Sequence, residues 1–249
     1  VPISLATSIT EGKFSDKAIK ETAAAVAQVL GQMTEIARTQ KLGEVQYFVL
    51  GGSGLTGVGN LDQLRAGIAE QTGGFGITFI DSRTESYHGL RSAVPEPRRG
   101  DSVVVDTGTA NSTLACVIND GSFQSAELPF GTVSLRNEAI DAANYDTALK
   151  ERIEKRVRPA LKREILGNPC FANRQRIYWT GQAAWAVATY THPERALNAY
   201  VAISRQDIDT LLERLRGWNF VVDGGEVPRS LRRRPGIGRP CRIHLCERT

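Results

Sequence analysis

The sequence predicts an α/β protein of two lobes, on three observations. Across residues 1–97, apolar runs of strand length alternate with stretches of helical periodicity. From Asp101 to Phe130, three strand-length runs follow one another with only short turns between them, which is an antiparallel pattern. Between the two patterns lies Pro95-Glu-Pro97-Arg-Arg-Gly100, two prolines and a charge cluster that read as a linker. The lobes are therefore expected to be residues 1–97 and 98–223, with 224–249 as an Arg-rich, disordered tail.

Each element has its own signal. Residues 1–10 read as a strand, and Ser15 starts a long helix with Ile19, Ala23, Val26, Leu30, Met33 and Ala37 on one stripe. Gly43 ends that helix, and Val45–Leu50 reads as a buried strand. The glycine-rich Gly51–Gly59 stretch lacks the lysine of a phosphate loop and reads as a flexible connection. Asn60 caps a helix closed by Gly73, residues 75–80 form the next strand, and Ser82 opens a helix running to Ala93. After the hairpin, Phe123–Phe130 is a third strand and Gly131 turns the chain into helix. Residues 146–166 form a charged helix with a kink expected at Pro159, which lacks an N–H and crowds the preceding turn. Arg176–Thr180 is a strand, a helix starts after Gly181, and the last helix covers Gln206–Arg216.

Composition narrows the function classes. With 249 residues, 41% of them hydrophobic, the chain has ample material for a buried core. The residues after Glu226 carry seven arginines and one glutamate, or +6 against +4 for the whole chain, so residues 1–226 stand at −2. Basicity confined to a tail argues against nucleic-acid binding. No apolar segment reaches 18 residues and no signal-peptide pattern opens the chain, so no membrane span and a cytoplasmic residence are expected. Cys116, Cys170, Cys241 and Cys246 are too scattered to predict a disulfide framework. The Cys241-Arg-Ile-His244-Leu-Cys246 run lacks the paired spacing of a zinc site.

The chemistry-bearing residues sit in two places. Asp106 follows Val103–Val105 and precedes Thr107-Gly108-Thr109-Ala110-Asn111, a turn of small residues leading into a second apolar run. A carboxylate there can hold a metal or a water, and small neighbours let backbone N–H groups approach a phosphate. It can equally be an ordinary hairpin-turn aspartate. Glu85 has two readings: the general base of a hydrolytic site, or the acidic half of a Ser82-x-x-Glu85 capping box. His88, one turn on, could face the cleft but reads as a partly exposed helical histidine; His192 reads as a loop residue without a chemical role, and Trp179 and Trp185 as core aromatics.

Taken in order, these motifs resemble the Ppx/GppA phosphatases, the exopolyphosphatases and guanosine pentaphosphate phosphohydrolases, from Val1 to Gly217. The resemblance implies the two-lobed actin-like ATPase fold (ribonuclease H-like), here with the first lobe incomplete because the family's first phosphate-binding hairpin has no counterpart. It places Glu85 at the family's catalytic glutamate, and Asp106 and Gly108 at the first and third residues of its "DIGGGSTE" hairpin. It implies Mg²⁺ held by Asp106, and phosphate bound by the backbone at Gly108, Thr109, Ala110, Asn111, Gly181 and Gln182. The side chains of Asn111, Ser112 and Thr113 would add neutral hydrogen bonds. The implied partner is polyphosphate or guanosine pentaphosphate, with a homodimer as the assembly open to it. The chain departs from the family pattern where the hairpin's second acid is Thr113 and an expected arginine is Thr56. Those departures imply the alternative of a catalytically impaired relative that binds polyphosphate or a nucleotide as a sensor. A sugar or acetate kinase of the same fold is disfavoured, because no second strong phosphate loop is present.

Overall fold

The computed structural model of the chain describes residues 8–118, 121–140, 142–195, 198–216 and 242–245. It opens with a hairpin, β1 (Ile9–Thr10) against β2 (Lys13–Phe14), turned by Glu11 and Gly12 at positive φ, as a two-residue hairpin requires. Residues 1–7 of the expected first strand lie outside the described residues. Helix α1 (Asp16–Thr39) follows, with Ser15 as N-cap accepting from the Ala18 N–H. Its predicted stripe is buried at Ile19, Ala23 and Ala37, whereas Met33 is exposed, so the stripe is only partly a core face.

A β–α–β unit comes next: β3 (Val49–Gly51), α2 (Leu61–Gln71) and β4 (Ile77–Phe79), with the two strands parallel. The expected buried strand over residues 45–50 is corrected to this three-residue piece, in which Leu50 is 59% exposed and Phe48 just before it 80% exposed. Leu64 and Ile68 of α2 are fully buried and pack with Phe14, Ile19, Ala23 and Val58 into the first core. Asn60 precedes α2 but caps it with no side-chain bond; its amide instead pairs with the Phe14 N–H and C=O, tying the first hairpin to the α2 entrance.

Helix α3 (Ser82–Ala93) and a 3₁₀ segment (Glu96–Asp101) lead to the main sheet. The predicted linker is thus a short helix. Strands β5 (Ser102–Thr107), β6 (Ser112–Val117) and β7 (Phe123–Leu128) are an antiparallel meander. Next come α4 (Thr132–Asn137), α5 (Tyr145–Arg152) and α6 (Arg158–Leu161), with π-helical turns at Ile153–Val157 and Lys162–Leu166 on either side of α6. Pro159 is absorbed by those widened turns, the Arg158 N–H reaching back to the Ile153 carbonyl. Then follow α7 (Pro169–Ala172), β8 (Arg176–Thr180), α8 (Gln182–Thr191), β9 (Tyr200–Ile203), α9 (Arg205–Arg216) and β10 (Arg242–Leu245).

The main sheet runs β7-β6-β5-β8-β10-β9, with β5 parallel to β8 and β10 parallel to β9. The tail expected to be disordered lies outside the described residues except for Arg242–Leu245, which pair between β8 and β9. Alternation along the strands gives the sheet two buried faces. Val104, Ala115 and Tyr178 pack under Leu90, Ala93 and Val94 at the end of α3. Val103, Leu114, Cys116 and Leu128 pack on the opposite face against Ala160, Cys170 and Phe171. There Cys116 and Cys170 form a disulfide, with Cα atoms 6.1 Å apart. The scattered spacing did not predict this bridge: a separation of 54 residues in sequence is closed when α7 folds back over β6.

Candidate active site

Helix α3 begins because Asp81 caps it, its carboxylate accepting from the Thr84 N–H. That leaves Glu85, in the first turn, free of the capping duty read from Ser82-x-x-Glu85. Its carboxylate reaches out of the helix instead and accepts from both the backbone N–H (3.1 Å) and the hydroxyl of Ser53. Ser53 starts the 3₁₀ turn Ser53–Leu55 just beyond β3 and is itself buried. The glycines around it permit the approach: a Cβ on Gly52 would lie 2.9 Å from Glu85 Oε1, and one on Gly54 would lie 2.9 Å from Asn111 Oδ1. The stretch read as a flexible connection is therefore a built contact.

Asp106 lies within β5, paired with Thr113 on β6 and Thr180 on β8, and is a strand residue rather than part of the turn. Residues paired side by side point to the same face, so Asp106, Thr113, Thr180 and Glu127, which is opposite Thr113 on β7, share the face that carries α3. Burial pushes the Asp106 carboxyl above the usual range, and the Glu85 charge pushes it further, while the Thr180 hydroxyl works against both. Glu85 and Asp106 line one open groove of ≈ 700 Å³, with Tyr87, His88, Gly89, Arg91 and Ser92 forming the rest of its wall.

The hairpin tip lies beside this wall, not in it. Gly108 donates to the Asn111 carbonyl (3.0 Å), and the carbonyls of Gly108, Thr109 and Ala110 accept from Thr132, Val133 and Ser134 at the start of α4. The Asn111 side chain donates to Ser53 Oγ (2.8 Å) and to Glu127 Oε1 (2.7 Å). Gly181 comes close to Asp106: at φ +95, a Cβ there would stand 2.6 Å from the Thr107 carbonyl oxygen and 2.8 Å from Asp106 Oδ1. Gly181 precedes α8, whose first N–H groups, starting with Gln182, have no intrahelical acceptor.

The fold is one of known type. The sequence matches no protein-family model and no curated protein. In three dimensions it superposes on an exopolyphosphatase-like protein (14% identity, TM-score 0.57, covering 73% of this chain and 56% of that one). It also superposes on the Ppx/GppA family member of Aquifex aeolicus (16% identity, TM-score 0.61, 86% and 67%). A third is an exopolyphosphatase from Cytophaga hutchinsonii (15% identity, TM-score 0.60, 83% and 66%). The fold is actin-like. The chain spans between 56% and 67% of the length of these three structures.

On this actin-like frame the predicted residues divide. Glu85 and Asp106 line one groove, and Gly181 lies beside Asp106, with no room for a Cβ between them. The neutral hydrogen bonds expected of three side chains are not available: Ser112 donates to the Phe130 carbonyl, Thr113 is 3% exposed, and both Asn111 side-chain N–H groups are committed. What remains at the tip is backbone. Thr56 merely closes the turn, its hydroxyl donating to the Ser53 carbonyl.

His88, read as an exposed helical residue, is exposed and also on the groove wall, as is Arg91. His192 packs near Asp207 and Glu194, and Trp179 donates to Thr107 Oγ1. Trp185, read as a core aromatic, is instead 42% exposed. Sequence reasoning missed Ser53 and Glu127. For Ser53 the signal was a small hydroxyl set among glycines at a strand end. For Glu127 there was none, since its place follows only from strand register.

Among the described residues, no three His, Cys, Asp or Glu side chains converge closely enough to cage a metal ion. Mg²⁺ seldom needs such a cage, being held by one or two carboxylates together with water and substrate phosphates. A burial-strained Asp106 beside a second carboxylate is a donor that fits that role. No helix among the described residues is long and apolar enough to cross a membrane.

Proposed function

We propose that this chain is a divergent Ppx/GppA-type phosphatase that hydrolyses phosphoanhydride bonds, in inorganic polyphosphate or guanosine pentaphosphate, with Mg²⁺. The observation that carries the reading is the shared groove of Glu85 and Asp106. Two carboxylates from separate elements face one opening, and one of them is held against its own ionisation partly by the other.

The chain's residues divide the work as follows. Ser53 anchors one Glu85 oxygen with two hydrogen bonds, leaving the carboxylate oriented to take a proton from an attacking water. Asp106 holds Mg²⁺. When bound, the ion neutralises charge on the phosphate oxygens. The N–H groups of Gly181 and Gln182, at the N-terminus of α8, receive phosphate oxygens beside Asp106. Those of Thr109, Ala110 and Asn111 serve a further phosphate at the hairpin tip. Arg91 and His88 on the groove wall add donors for an anionic substrate.

A second reading has a specific observation behind it. Thr113 stands buried where the resemblance expects an acid, and the Asn111 side chain is spent on Ser53 and Glu127. Both favour a relative that binds the phosphate chain without cleaving it.

The test is phosphate release from polyphosphate, with and without Mg²⁺, by the native chain and Glu85→Gln. Mg²⁺-dependent release that Glu85→Gln lowers supports the hydrolase. Binding with release at the buffer rate in both proteins supports the binding module instead.

A further inference from the structure

Glu127 lies on β7 directly opposite Thr113, on the face that carries Glu85 and Asp106. Its Oε1 is 2.7 Å from Asn111 Nδ2, the same nitrogen that is 2.8 Å from Ser53 Oγ. A carboxylate can only accept, so Glu127 fixes which end of the Asn111 amide faces the pair. With both amide hydrogens given away, Ser53 Oγ is an acceptor toward Asn111, and its single hydrogen goes to Glu85 Oε2. The four groups thus form a chain with one sense, bounded by two carboxylates on different elements.

We propose that Glu127 is a positioning residue for Glu85, acting through Asn111 and Ser53; this rests on the reading of Glu85 as the base. The carboxylate missing from β6 at Thr113 is supplied one strand further out, and it works by orientation. It does not join Asp106 in a metal cage, since no three such groups converge among the described residues. Without an acceptor at 127, the Asn111 amide is free to turn and the Ser53 hydroxyl to rotate away from Glu85. The base then samples positions in which it does not face the water.

The test compares full chains carrying Glu127→Ala and Glu127→Gln, with polyphosphate and Mg²⁺. Loss of orientation should lower kcat on the order of tenfold or more in Glu127→Ala, with KM changed by less than about twofold. Glu127→Gln, whose amide oxygen still accepts from Asn111, should restore kcat toward the native value. Three results overturn the proposal: native kcat in Glu127→Ala, an equal loss in Glu127→Gln, or a rise in KM with kcat unchanged.

A thermal-stability cycle of Glu127→Ala and Ser53→Ala needs no turnover. The double variant should lose less than the two single losses combined, although the two side chains are joined only through Asn111. Strict additivity overturns the relay. A native chain that releases no phosphate sinks the hydrolase reading alone, and the cycle still decides for or against Glu127.

Discussion

Glu85 and Asp106 share a groove but are held in opposite ways. Glu85 leaves its helix and is met by two donors from Ser53, so its carboxylate is held in place by the protein. Asp106 is part of a sheet ladder, and its carboxyl is pushed upward by burial and by Glu85. One carboxylate is oriented and satisfied; the other is kept at an electrostatic disadvantage that a cation would relieve. Under the function proposed above, the difference suits the first to take a proton and the second to hold a metal ion, a division that two equivalent acids would not suggest.

The comparison can be broken at either residue. The largest effect is expected from Glu85→Gln, which keeps the shape but cannot take a proton. Phosphate release should fall by roughly 10²–10⁴-fold, the usual contribution of a general base, while polyphosphate binding survives. A loss confined to KM would assign Glu85 to binding. The next effect is structural. Gly181→Ala places a Cβ against the Thr107 carbonyl in a φ, ψ region essentially restricted to glycine. A cost of at least about 1–3 kcal/mol is expected, read as a lowered Tm. Release should fall as well, because the start of α8 moves away from Asp106.

The smallest effect separates the two acids most sharply. Asp106→Asn should weaken the Mg²⁺ dependence of release and raise Tm. The sign follows from linkage: the folded state holds the Asp106 proton more tightly than the unfolded chain, whose carboxyl titrates near 3.8. Native stability is therefore fully present below 3.8 and is eroded as pH rises from there through the raised folded-state value. The gain from Asp106→Asn should grow across that window and level off above it. Each kcal/mol gained shifts Tm by about 2–4 °C in a chain of this size.

What could be read from the sequence follows from how local each signal is. Capped or glycine-bounded helices such as 16–39, 61–71 and 182–191 were legible, as was the Asp106 hairpin, because their periodicity and stop signals lie within a dozen residues. Glu85 and Asp106 could be singled out by motif order. Their convergence could not, because it depends on α3 lying across the main sheet. The Ser82-x-x-Glu85 pattern misled because Asp81, one residue earlier, takes the cap. The disulfide and Glu127 were invisible for the same reason: Cys116 meets Cys170, and Glu127 meets Asn111, through strand register and helix packing that no short window encodes. Val45–Leu50 misled in the opposite direction, since an apolar run predicts burial that Phe48 and Leu50 do not have.

The shared field of the two carboxylates can be read directly by following the Asp106 side-chain carboxyl by ¹³C NMR across a pH titration, in the native chain and in Glu85→Gln. The native midpoint should lie above that of an ordinary aspartate and move down once the Glu85 charge is gone. A midpoint that stays in place when Glu85 is neutralised would mean that the two groups do not face each other, and the paired site would have to be abandoned.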